Sequence, residues 1–193
     1  MIHFVLGGAR SGKSKFAEKQ TIQLAKQLNK RMVYIATATA IDDEMTNRIH
    51  QHQEDRLNKG NDWQLIECPL TLAQQLGKVD QNTSVYLLDC LTLWLNNQLF
   101  SQQQENKEQL QLHLKNQIKT LITALNHFSA DIVVVSNEVG LGIIPLGEST
   151  RLYVDYCGWL NQQVAEISEQ VTLVTAGIPL TIKSPKAVSK STD

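Results

Sequence analysis

The amino-acid sequence predicts an α/β fold, a mostly parallel sheet flanked by helices, and three observations predict it. Short apolar runs alternate with longer stretches of helical spacing, the pattern of βαβ units. The run Ile132-Val133-Val134-Val135 is apolar without a break, as a strand covered on both faces requires. A glycine-rich segment beginning at Gly7 stands directly between the first apolar run and the first helical stretch.

Taken in order, Ile2-Leu6 is the first predicted strand and Lys13-Leu28 the first helix. Met32-Ala36 follows as a strand, then Asp43-Leu57 as a helix and Trp63-Glu67 as a weaker strand. Val85-Leu88 is the next strand, and Leu91-Phe100 the next helix. Glu105-His127 has helical spacing, and the stretch Ser101 to Gln117, rich in Gln, Glu, Lys and Asn with Leu110 and Leu114 four apart, reads as a solvated helix with a single apolar stripe. Ile132-Ser136, a helix over Thr150-Ser168 and a strand over Val171-Thr175 complete the alternation. Gly177-Ile178-Pro179 then breaks the chain, and Leu180-Lys183 returns as a short antiparallel edge strand.

A chain of 193 residues, 42% of them hydrophobic, can bury one sizeable core, which predicts a single catalytic domain over residues 1–183. Residues 184–193 mix Lys, Ser and Pro without an apolar anchor and read as a mobile tail. Lys plus Arg (18) nearly balance Asp plus Glu (19), so no nucleic-acid partner is expected and bound anions must be held locally. No apolar run is long enough for a membrane span. Met1 to Leu6 lack the basic start of a signal peptide, and Cys68, Cys90 and Cys157 have no CxxC spacing. A cytoplasmic protein with buried free thiols is the expectation.

Gly7-Gly8-Ala9-Arg10-Ser11-Gly12-Lys13-Ser14 satisfies G-x-x-x-x-G-K-[ST], and it lies in the strand-to-helix context the motif needs. Glycines let successive amides turn toward phosphate, and the helix presents its positive end to the same anion. Lys13 is expected to reach the β- and γ-phosphates, and Ser14 to offer its hydroxyl to Mg²⁺. Asp89, closing Val85-Leu88, fits the second Mg²⁺ position; its alternative role is an ordinary cap before Leu91. These features predict a P-loop NTPase with a RecA-like sheet. Asp89-Cys90-Leu91-Thr92 is not D-x-x-G and no N-K-x-D follows, which argues against a switch GTPase.

The segment Asp42 to Gln53 opens with three acids, as suits the positive end of a helix. His50 and His52 would lie about 200° apart around that helix, so they cannot share a metal. Arg48 and His52 fall on one face, where a neighbouring cation favours neutral imidazole. Spacing alone leaves His52 open between a solvated side chain and a nucleophile. Asn137 and Glu138 follow a strand and are open between a ligand contact at the sheet edge and a tight turn sealed by Gly140.

Together the motifs resemble the bifunctional adenosylcobinamide kinase/adenosylcobinamide-phosphate guanylyltransferase family. The resemblance runs from Ile2 to Lys183 through the glycine loop, Tyr34-Ile35-Ala36-Thr37-Ala38, Arg48-Ile49 with His52, Glu67-Cys68, Asp89-Cys90-Leu91-Thr92, Asn137-Glu138-Val139-Gly140-Leu141-Gly142-Ile143-Ile144-Pro145, Leu160-Asn161-Gln162 and Ala176 to Leu180. It implies phosphorylation of the aminopropanol hydroxyl of adenosylcobinamide, then transfer of GMP from GTP through a histidine, with ATP and GTP as substrates. His52 matches the R-I-x-x-H pattern and His50 does not. The implied nucleotide contacts are Gly7, Gly8, Ala9, Arg10, Ser11, Gly12, Lys13, Ser14, Ala36, Thr37, Ala38, His52, Gln53, Glu54, Asp55, Glu67 and Asp89, and the implied assembly is a homotrimer. Two departures stand out: Asp89 occupies a position where members often carry Glu, and Leu146-Gly147-Glu148-Ser149 differs from the family's P-E-N spacing. A P-loop kinase of another small alcohol, without nucleotidyl transfer, and a RecA-like ATPase module are the alternatives.

Overall fold

The computed structural model describes residues 1–39, 62–101, 106–143 and 145–185. Within them lie β1 (Ile2–Gly7), α1 (Lys13–Leu28), β2 (Arg31–Ala36), β3 (Trp63–Glu67), α2 (Leu72–Leu76), β4 (Ser84–Asp89), α3 (Leu91–Phe100), α4 (Lys107–Asn126), β5 (Ile132–Asn137), α5 (Glu148–Ile167), β6 (Gln170–Thr175) and β7 (Ile178–Lys183). The strands form one seven-stranded sheet in the order β3-β2-β4-β5-β1-β6-β7. All neighbours pair in parallel except β6 and β7, which are antiparallel. The predicted α/β class and the antiparallel edge strand agree with this architecture.

The unbroken apolar runs become the centre of the sheet because adjacent side chains point to opposite faces and both faces are covered. Phe4, Ile35, Leu88 and Val134 pack into a core shared with α2, α3, α4 and α5. Val5, Leu87, Val133 and Val135 belong to a second core, on the side of α1, with Ala17, Phe16 and Leu24. Helix α1 ends on Asn29, whose left-handed backbone (φ 53°) lets its N–H reach the Ala25 carbonyl. Helix α4 starts at Asn106, whose side chain accepts from the Gln109 amide at 2.9 Å. Its apolar stripe is seated as expected, with Leu114 buried and Leu110 partly so.

Two expectations need correction. The break before β7 is confined to Ala176 and Gly177, which turn with φ of 50° and 79°, while Pro179 lies inside the strand opposite Val174. An edge strand has N–H groups that need no ladder partner, so proline is tolerated there. Helix α2 was not expected; at five residues it is too short to show a period, although Leu72 and Leu76 both point into the core. The expected helix Asp43-Leu57 lies outside the described residues, as does the tail beyond residue 185.

Candidate active site

The glycine loop hangs from the carboxyl end of β1 and leads into α1. Gly7 must lack a side chain: a Cβ there would lie 2.4 Å from Ser11 Oγ and 2.5 Å from the Val174 carbonyl. Gly12 turns the chain in the left-handed region (φ 93°) and forms the N-cap of α1 without any side-chain hydrogen bond. The first amides of α1 therefore keep no capping partner and face the loop. Gly8, Ala9 and Arg10 are exposed, and Ser11 is buried. The turn between β6 and β7 braces the loop from behind, since the Gly177 amide donates to the Ser11 carbonyl at 2.8 Å.

Lys13 folds back over this loop and donates from Nζ to the Gly8 carbonyl at 3.1 Å. Burial pushes its ammonium below the ordinary lysine range, opposed by Cys90 and Asp89. Burial pushes the Cys90 thiol up to about 11, so at neutral pH it is a neutral neighbour of Lys13. A buried ammonium short of hydration is a strong partner for a phosphate that replaces the lost water. Ser11 Oγ is the one buried side-chain polar atom without a hydrogen-bond partner among the described residues, and it sits inside the loop. Both features suit a loop made to surround an anion.

Asp89 closes β4, two strands from β1, with β5 between them. It is half-buried and accepts from the Tyr34 hydroxyl at Oδ2, at 3.2 Å. It does not cap α3: Cys90 is the N-cap residue, with no side-chain capping hydrogen bond. Among the described residues no group of three or more His, Cys, Asp or Glu could hold a metal. The donor set of Ser14 hydroxyl and Asp89 carboxylate is all oxygen, which fits a Mg²⁺ that takes its other ligands from substrate phosphates and water.

Ala36 pairs with Asp89 on one side and with Glu67 on the other, so three candidate contacts share one row at the carboxyl edge of the sheet. Thr37 is fully buried and its amide donates to the Asp89 carbonyl at 3.2 Å. Asn97 of α3 donates to the carbonyls of Thr37 (2.8 Å) and Pro69 (3.1 Å) and accepts from the Thr39 hydroxyl at 2.9 Å. One carboxamide thereby ties the loops after β2 and β3 to each other. Asn97 was not singled out from the sequence and Tyr34 entered only as part of a motif, since nothing local distinguishes a core tyrosine or a helical asparagine from these. His50, His52, Gln53, Glu54 and Asp55 lie outside the described residues.

A parallel sheet with a glycine loop on a central strand, a buried lysine over that loop and an aspartate on a nearby strand end define a P-loop enzyme that uses nucleoside triphosphates. Residues 3–182 match the family model described as cobinamide kinase / cobinamide phosphate guanyltransferase. The chain belongs to that family. It is 42% identical over 183 residues, 95% of this chain and 98% of the relative, to the bifunctional adenosylcobalamin biosynthesis protein CobP of Pseudomonas aeruginosa. It is 35% identical over 189 residues, 95% of this chain and 100% of the relative, to the corresponding protein CobU of Salmonella typhimurium. Among solved structures it is similar to a KaiC-like protein from Pyrococcus horikoshii, with a TM-score of 0.47 and 12% identity over 89% of this chain and 69% of that one.

Proposed function

We propose that this enzyme phosphorylates the aminopropanol hydroxyl of adenosylcobinamide and then transfers GMP from GTP onto the new phosphate, releasing pyrophosphate. The observation that carries this reading is a family match spanning residues 3–182 that coincides with a complete glycine loop, Lys13 and Asp89. The loop amides and Lys13 hold the triphosphate, and Ser14 and Asp89 would hold Mg²⁺. That ion, when bound, offsets the negative charge that builds on the departing phosphate oxygens.

For guanylyl transfer, the R-I-x-x-H pattern assigns the nucleophile to His52. Its imidazole attacks the α-phosphorus, the bond to the bridging oxygen breaks, and pyrophosphate leaves with the electron pair. The substrate phosphate then displaces imidazole. Two displacements with good leaving groups replace one between two anions. Ala36, Thr37, Ala38, Gln53, Glu54, Asp55 and Glu67 are proposed to line the guanine nucleotide. The row formed by Ala36, Asp89 and Glu67 supports placing part of that contact at the edge of β2 and β3.

We read the assembly as a homotrimer from the family resemblance; large apolar side chains exposed on the isolated chain, among them Ile143, Leu146 and Ile178, are available for contact between copies. Cytoplasmic placement is supported by three buried free cysteines. The deciding experiment incubates the protein with adenosylcobinamide, ATP, GTP and Mg²⁺ and separates the corrinoids by chromatography. Adenosylcobinamide phosphate followed by adenosylcobinamide-GDP is expected, and unmodified adenosylcobinamide would refute the reading. Light scattering checks the trimer.

A further inference from the structure

The two residues at the end of β5 are used differently. Glu138 is spent on its own turn, its Oε1 accepting from the Gly140 amide at 2.8 Å while its own amide donates to the Gly7 carbonyl at 3.1 Å. Asn137 pairs in register with Gly7, and it lies two residues beyond Val135, the residue that pairs with Asp89. Strand alternation gives its side chain the same face as Val133 and Val135, the α1 face, which Leu87 and hence Asp89 also share. It therefore stands beside the root of the phosphate loop, two residues beyond the row that holds Asp89.

One end of the Asn137 carboxamide is held. Nδ2 donates to Thr92 Oγ1 at 2.8 Å, and Thr92 is itself fixed by the Tyr153 hydroxyl, which donates to its carbonyl at 3.2 Å. The backbone is held too, because Asn161 Nδ2 donates to the Asn137 carbonyl at 3.0 Å while Asn161 Oδ1 accepts from Ser136 at 2.7 Å. The other end is open. Among the described residues Oδ1 has no protein partner, and it is not one of the buried unpartnered atoms, so it reaches solvent. Holding one end of an amide through Thr92 and its backbone through Asn161, with the acceptor left free beside the phosphate loop, is the arrangement expected of a group that orients something bound there.

We propose that Asn137 Oδ1 accepts a hydrogen bond from the alcohol that attacks the γ-phosphorus in the kinase reaction, a role that rests on the kinase activity proposed above. The hydroxyl oxygen forms the new bond to phosphorus, the bond to the β,γ-bridging oxygen breaks, and the nucleoside diphosphate leaves with the electron pair. An amide is no base, so the proton passes to product phosphate or solvent after attack, and Asn137 contributes orientation. A loose phosphoryl transfer asks little more of the group beside its nucleophile.

The test measures both half-reactions of Asn137→Ala against the parent chain. Kinase kcat is expected to fall about a hundredfold with KM for ATP within about threefold. GMP loading from α-labelled GTP involves no alcohol and is expected to slow within about threefold at most. Thr92→Val, which frees the held end, is expected to lower kinase kcat less, and its effect is expected to vanish in the double variant, since the two side chains act as one unit. Equal loss of both half-reactions, an unchanged kinase kcat, or additive effects of the two substitutions would each overturn the assignment. A parent chain that phosphorylates no alcohol would overturn the kinase reading as well, whereas an active parent with an unaffected Asn137→Ala removes only the role of Asn137.

Discussion

Thr37 and Cys90 are joined twice through one hydroxyl: Thr37 Oγ1 donates to the Cys90 carbonyl at 2.7 Å and accepts from the Cys90 amide at 2.8 Å. The pair fastens the loop after β2 to the first turn of α3, immediately beside Asp89. Thr37→Val keeps the shape but strands the buried Cys90 N–H, while the Cys90 carbonyl keeps the Trp94 amide at 3.2 Å. A loss of about 1–3 kcal/mol is expected. Urea unfolding checks it, with the midpoint lowered and the slope unchanged.

Gly7→Ala tests the loop's geometry. A methyl group there meets Ser11 Oγ and the Val174 carbonyl, and the carbonyl belongs to a sheet strand that cannot easily move. The expected cost is about 1–3 kcal/mol of stability. Nucleotide affinity should fall with it, because relief of the clash displaces the loop; calorimetric titration with a non-hydrolysable triphosphate reads this out.

Lys13→Ala is expected to lower both phosphorylation and GMP transfer by about a hundredfold or more, because one loop serves both triphosphates. Steady-state rates of each reaction decide. Unchanged guanylyl transfer would mean a second nucleotide site.

His52→Ala is expected to abolish the acid-labile, alkali-stable label left by α-labelled GTP, while kinase turnover suffers less. His50→Ala should label like the parent. Loss of label in His50→Ala with retention in His52→Ala would shift the assignment by two residues, and retention in both would remove the histidine intermediate.

His3 supplies a pH dependence. It is buried, contacts Thr172 Oγ1 through Nε2 at 2.9 Å, packs edge-on to Phe16, and burial lowers its pKa to about 4. The unfolded chain, with a histidine near its ordinary value of about 6.5, binds the proton first as pH falls. Stability from this group is therefore complete above about 6.5 and declines toward pH 4, by roughly 3 kcal/mol in all. His3→Gln should flatten that part of a stability profile measured by chemical denaturation across the window.

The sequence by itself determined the types of the described elements other than α2, the glycine loop with Lys13, the aspartate at the end of β4, and the family, because each depends on residues close together along the chain. Alternation and period fix strand or helix locally, and a loop of consecutive residues carries its own chemistry. Only the tertiary structure decided that β5 separates β1 from β4, which brings Asn137 beside Gly7 and two residues beyond the row of Asp89. It also assigned the turn contact with Gly140 to Glu138 and left the Asn137 acceptor without a protein partner among the described residues. The contacts that did this join residues far apart in the chain, Thr37 to Cys90 across 53 positions, Thr37 to Asn97 across 60 and Thr92 to Asn137 across 45. A threonine or asparagine looks the same in sequence whether it faces water or holds a strand end. Its role is set by which strand becomes its neighbour, and sheet order follows from the burial of both faces at once rather than from any local preference.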